Sequence, residues 1–124
     1  MSYNCTIYID SENSLEALAN DVSRLLEVDL QPTNDDGAKV YEYLFTDYQL
    51  RMYADHDMVN DEDLNLGDYP YALSLWRLSS SDHVRSDKKT LEFAWLVFRK
   101  LKEAACYRLM LMENAQRKLA SFNP

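Results

Sequence analysis

Tyr3, Cys5, Ile7 and Ile9 alternate with Asn4, Thr6 and Tyr8, the period of a strand with one face buried. After Asp10–Asn13 the spacing changes. Leu15, Leu18, Val22, Leu25 and Leu26 share one helical stripe, which predicts a helix from Ser14 to Glu27 with a polar opposite face. Asn13 or Ser14 supplies its cap, and Glu16 lies three residues after Asn13, where a capping box places a carboxylate. Asp29–Gly37 carries Pro32 and an Asp-Gly pair, both turn formers, and is expected as a loop.

Two strand patterns follow, Val40–Thr46 and Tyr48–Asp57. Tyr41, Tyr43 and Phe45 oppose Val40, Glu42 and Leu44; Tyr48, Leu50, Met52 and Ala54 oppose Gln49, Arg51, Tyr53 and Asp55. The short break at Thr46-Asp47 predicts an antiparallel hairpin. Met58–Asp68 is polar, and Tyr69–Leu78 returns to alternation, with Tyr69, Tyr71, Leu73 and Leu75 on one side. Beyond a serine-rich loop at Ser79–Asp87, the set Leu91, Ala94, Trp95, Phe98, Leu101 and Ala105 predicts a helix over Lys88–Ala105 capped by Asp87. Period alone does not separate a strand from more helix at Tyr107–Met112; its shortness and the following Asn114 favour a strand. Gln116–Phe122 reads as a final helical turn or a frayed tail. The expected fold is α+β, one domain over residues 1–124. An antiparallel sheet of four to five strands carries two main helices on one face, which leaves the other face polar and aromatic.

With 124 residues, the chain is long enough for one core. Two glycines and three prolines exclude long low-complexity linkers. The longest apolar run, Phe93–Phe98, is far short of the ~20 residues of a membrane-spanning helix, so no membrane association is expected. The first residues, MSYNCTIYID, lack the basic flank and apolar core of a secretory signal. Cys5 and Cys106 both lie in apolar company and are expected as free, buried thiols in a cytoplasmic protein.

Charge adds more. The net is −8, yet residues 1–68 hold sixteen Asp and Glu against three Lys and Arg, and residues 69–124 hold five against ten. Such asymmetry points to a charged partner surface unless the two halves interleave in space. The acidic balance opposes nucleic-acid binding, which depends on an excess of cations along phosphates. The bases Lys88, Lys89, Arg99, Lys100 and Lys102 read as the solvated face of a helix.

Candidate catalytic and metal patterns fail on geometry. In a regular strand, His56 points away from Asp55 and Asp57, so the three converge on a metal only at a bulge or a strand end. Asp61, Asp63 and Asn65 match the first ligands of a calcium loop, but Leu66 stands where glycine is needed and Ala72 where a bidentate glutamate is needed. Ser81-Asp82-His83 is adjacency without triad geometry. No cofactor and no enzymatic activity are expected. What remains is an acidic, aromatic-rich segment: Tyr53, Asp55, Asp57, Asp61, Glu62, Asp63, Asp68, Tyr69, Tyr71 and Trp76. Tyr and Trp anchor protein interfaces because they bury much area with few rotors, and carboxylates steer a basic partner.

A short, acidic, tyrosine-rich domain with the FTDYQLRMYADHDM strand pair and the late EFAWLVFRKL helix resembles bacterial immunity proteins of contact-dependent growth inhibition and related polymorphic toxin systems. The resemblance implies a cytoplasmic inhibitor that binds and neutralises a cognate toxin domain, often a nuclease, without turnover. Two alternatives stand beside it: an acidic dimeric secretion chaperone gripping an effector segment, and a small metal-dependent enzyme using Asp55, His56 and Asp57. Monomer and dimer both stay open.

Overall fold

The computed structural model describes residues 3–45, 47–54, 56, 60–61, 64–78, 83–114 and 116–124. Among them the elements are β1 (Asn4–Asp10), α1 (Leu15–Leu26), β2 (Gln31–Asp35), β3 (Ala38–Leu44), β4 (Tyr48–Ala54), β5 (Asn60–Asp61), β6 (Leu64–Asn65), a 3-10 turn at Leu66–Asp68, β7 (Tyr71–Arg77), α2 (His83–Ala104), β8 (Arg108–Glu113) and β9 (Arg117–Phe122). Seven strands form one sheet in the order β2-β3-β4-β7-β1-β8-β9, while β5 and β6 pair only with each other. Every pairing is antiparallel.

The α+β class with one antiparallel sheet and two helices is as expected; the strand number is not. The sheet has seven strands rather than four to five. One extra strand is β2, inside the stretch expected as a loop. Its residues, QPTND, are all exposed, so no alternation of polarity marks it. The Asp36-Gly37 pair does make a turn, with φ of 51° and 84°. Positive φ at both central positions matches the twist of a tight hairpin, and Asp35 pairs Ala38 across it. The other extra strand is β9, which corrects the helical turn or frayed tail expected there. A register shift between Leu111 and Met112 interrupts its ladder with β8, which scrambles a period-two signal.

Helix boundaries follow local chemistry. The Ser14 side chain accepts the Ala17 N–H at 3.1 Å, capping α1, and Glu27 ends it in the left-handed region at φ 57°. Helix α2 begins at His83, so Asp87 lies inside it and is not its cap. Ala105, at φ 54°, ends that helix. Cys106 then sits exposed in the turn, not in the core as expected, whereas Cys5 is buried; both thiols are free.

One face of the sheet carries Cys5, Ile7, Ile9, Leu50, Met52, Leu73, Leu75, Leu109 and Leu111, packed against Leu18, Val22 and Leu26 of α1 and Ala94, Val97, Phe98 and Leu101 of α2. The registers Ile7↔Leu73 and Ile7↔Leu111 bring the central rows into line. Each fully buried Leu or Ile here contributes roughly 1.5–3 kcal/mol, so this layer holds most of the stability. Among the described residues, no helix is long and apolar enough to cross a membrane.

Candidate functional site

The alternate residues of the same strands point to the second face, which divides into two halves. Over β7, β1 and β8, the chain between β4 and β7 folds back: Leu66 and Tyr69 pack with Tyr8, Ala72, Met110 and Met112, and half-buried Tyr53 packs against them. Over β2, β3 and β4 the face carries half-buried polar side chains around buried Val40, with exposed β2 at its edge.

The fold-back is held by named contacts. The His56 ring lies edge-on to Tyr8, centroids 5.1 Å apart, with Nε2 2.5 Å from the Tyr69 carbonyl oxygen. A carbonyl only accepts, so Nε2 carries the hydrogen. The Arg108 guanidinium stacks on the Tyr69 ring at 4.6 Å, pairs Asp10 at 3.1 Å and reaches the Asp68 carbonyl at 3.5 Å. Further along β1, the Thr6 and Ser74 hydroxyls meet at 3.0 Å and Tyr53 joins Ser74 at 3.1 Å. Burial raises the Tyr69 phenol above its ordinary value, opposed by the adjacent Arg108 charge. Tyr8 is pushed up to about 12, first by burial and then by Tyr53.

On the open half, Glu42 stands opposite Arg51 in the β3–β4 ladder. Arg51 donates from Nε at 2.8 Å to Glu42 and bridges Asp35 at 3.1 Å, while Gln49 donates to the same Glu42 oxygen at 2.5 Å. The guanidinium also sits 5.7 Å from the Trp76 ring centroid. One arginine thus ties three strands and orients a tryptophan.

The ten residues expected to bind a partner separate in this frame. Trp76 lies half-buried at the border of the open half, and Tyr53 lies beneath the fold-back. Asp68 is exposed and accepts from the Asn65 amide at 3.3 Å. Asp61 belongs to β5, where it pairs Leu64. Tyr69 and Tyr71, expected on one side of a strand, land on opposite faces. Pro70 separates them and β7 starts only at Tyr71, so Tyr69 is 3% exposed beneath the fold-back. Tyr71 packs on the helix-covered core and donates its hydroxyl to the Asn13 carbonyl at 2.5 Å. The Tyr69 side chain is buried and that of Tyr71 half-buried. Asp55, Asp57, Glu62 and Asp63 lie outside the described residues.

Sequence reasoning missed the Arg51–Glu42–Asp35 network, although opposite charges facing each other across a hairpin signal a cross-strand pair. It also missed exposed Leu44 and Leu78, which the alternation places on no core face. Among the described residues, no group of three or more His, Cys, Asp or Glu is placed to hold a metal. No family model, curated protein or solved structure matches the chain.

Proposed function

We propose that the chain is an immunity-type inhibitor, a bacterial cytoplasmic protein that binds a cognate toxin domain and neutralises it without turnover. The observation that carries this reading is an acidic segment whose described end is anchored to the sheet. Residues 55–68 hold six Asp and Glu and no Lys or Arg. They leave the sheet at β4 and return at β7, and Leu66, Tyr69 and His56 fasten part of that excursion to the second face. Asp68, in the fastened turn, loses less freedom on binding than a carboxylate on a free tail, so more of its attraction survives as affinity. The long-range effect of the segment's six carboxylates is to speed encounter with a basic surface, such as the groove of a nuclease.

The test is a growth assay in a bacterial host. The toxin domain encoded immediately upstream is expressed with and without this protein, and the protein should specifically restore growth. Reversing Asp61, Glu62 and Asp63 to lysine should slow association with that domain about tenfold or more at low salt, and less at high salt. Toxicity left unrelieved by the wild-type protein would remove the inhibitor reading, and an unchanged association rate would move the interface away from the segment.

A further inference from the structure

Helix α2 buries Ala94, Val97, Phe98 and Leu101 in the core. On its opposite side, Lys89, Glu92, Leu96, Arg99 and Glu103 recur at intervals of three, four, three and four residues, which aligns them in one stripe along a helix. All five are exposed. Leu96, at the middle of the stripe, is 49% exposed. A lone exposed leucine means little, but the charges around this one are ordered. Counted outward from Leu96, the stripe reads Glu92 then Lys89 towards the helix start, and Arg99 then Glu103 towards its end. At each step outward, the two sides carry opposite charges. Turned end for end, the stripe is its own complement.

The fold itself does not use these charges. Among the described residues, none of the four is in an ion pair. Glu92 follows Lys88 and Lys89 by one turn, and Glu103 follows Arg99 and Lys100. That is the weaker order for a helical pair, since the acid does better on the N-terminal side. We propose that the stripe is the contact between two copies of this chain, packed antiparallel with a two-fold axis through Leu96. Leu96 then meets its own counterpart. Glu92 faces Arg99 of the second copy, Lys89 faces its Glu103, and the symmetry repeats both pairs. Along the stripe, no like charges stand opposite each other.

Charge decides the occupant. A two-fold contact needs a self-complementary patch, and a purely basic or purely acidic partner would match only half of the stripe. Size sets the strength. From Lys89 to Glu103 the helix rises about 21 Å, whereas a standard interface of about 800 Å² per partner is roughly 30 Å across. Exposed ion pairs each contribute little, so the dimer is weak and dissociates on dilution. The net charge of −8 on each copy opposes association most at low salt, where screening is slight. The stripe shares no residue with the acidic segment, so the dimer is independent of the toxin-binding reading.

The experiment is sedimentation equilibrium of the full chain at physiological ionic strength. It compares wild type, Leu96→Asp, Glu92→Arg, Arg99→Glu and the double exchange of Glu92→Arg with Arg99→Glu. All three positions are exposed, and circular dichroism verifies the fold. The wild type should dimerise as its concentration rises. Leu96→Asp and each single exchange should weaken the dimer about tenfold or more, because like charges then meet across the axis. The double exchange should return the dimer to within about threefold of wild type. Within one helix it puts a base beside Lys88 and an acid beside Glu103, both unfavourable, so recovery comes only from across the axis. A wild type that stays monomeric up to about 1 mM, the weak end of specific association, would overturn the proposal. So would a dimer that the single exchanges leave intact, or one that the double exchange fails to restore. A monomeric wild type whose binding to the upstream-encoded toxin domain is lost in Leu96→Asp would give the stripe to that partner instead.

Discussion

The two faces of the sheet solve the same burial problem in different ways. On one face, two helices bring apolar stripes onto β1, β4, β7 and β8. On the other, a fold-back of the chain covers β7, β1 and β8 with Leu66 and Tyr69 and leaves β2, β3 and β4 to a charged network. The first solution gives a large, regular core. The second gives a small cluster whose fastening is polar: a histidine on a carbonyl, an arginine on a ring. The first face holds most of the buried apolar side chains, and the second fastens a chain excursion with polar contacts.

The largest expected effect separates these roles. Leu73→Ala in the helix-covered core should cost about 2–5 kcal/mol of global stability, the range for truncating a buried leucine. Leu66→Ala should release the fold-back, with faster amide exchange over 64–69 and a smaller shift in the unfolding midpoint. Denaturant titration with hydrogen exchange measures both. Equal global losses would mean that the two clusters are one cooperative unit.

The next contrast uses pH. Tyr107 donates to Asp21, and this hydrogen bond, aided by Arg24, lowers the Asp21 carboxyl below its ordinary 3.8. A depressed folded value gives stability that is complete above the unfolded value and lost as pH falls through the folded one. Tyr107→Phe should therefore flatten the acid limb of the stability curve. At the other extreme, burial pushes the Cys5 thiol from 9.0 up to about 11 and Tyr8 from 10.0 to about 12. Raised folded values give stability that is present below the unfolded values and lost as pH climbs towards the folded ones. Alkaline unfolding is expected to start above about pH 9–10 and to run to about 12. Cys5 belongs to the helix-covered core and Tyr8 to the fold-back, so Cys5→Ala and Tyr8→Phe should each remove part of the alkaline limb. Tyrosinate absorbance and circular dichroism followed together measure this.

The smallest effect concerns an edge. Pro32 gives β2 one fewer N–H. Pro32→Thr should change stability by less than ~1 kcal/mol but raise self-association through a better edge, measurable by sedimentation. An unchanged mass at high concentration would show that Pro32 does not guard this strand.

Much of the helix-covered core was legible in the sequence, because burial on one side writes a period into the chain. Cys5, Ile7 and Ile9 gave β1, Leu18 and Val22 gave α1, and Tyr107–Met112 is a strand as favoured. The second face was not, for a matching reason. Exposed β2 has no polarity to alternate, and β9 is crossed by a register shift. Tyr69 reads as part of a strand because its neighbours alternate, yet the turn before Pro70 sends it to the other side. Of the expected partner residues, Trp76 and Asp68 stand at the surface and Tyr69 does not, since aromatic content alone cannot distinguish an anchor from a cover.

The interior position of β1 has a consequence for synthesis. Its neighbours are β7, met at pairs such as Ile9↔Tyr71, and β8, met at pairs such as Cys5↔Glu113. On a ribosome adding roughly 5–20 residues per second, the β2–β3–β4 meander can pair while β1 still has no neighbour on either side. Strand β1, made before β7 and β8, is therefore completed only when β8 has emerged. A chain interrupted before that point keeps its early hairpins but leaves at least one flank of β1 bare, which makes the nascent polypeptide, rather than the finished one, the form most open to misassembly.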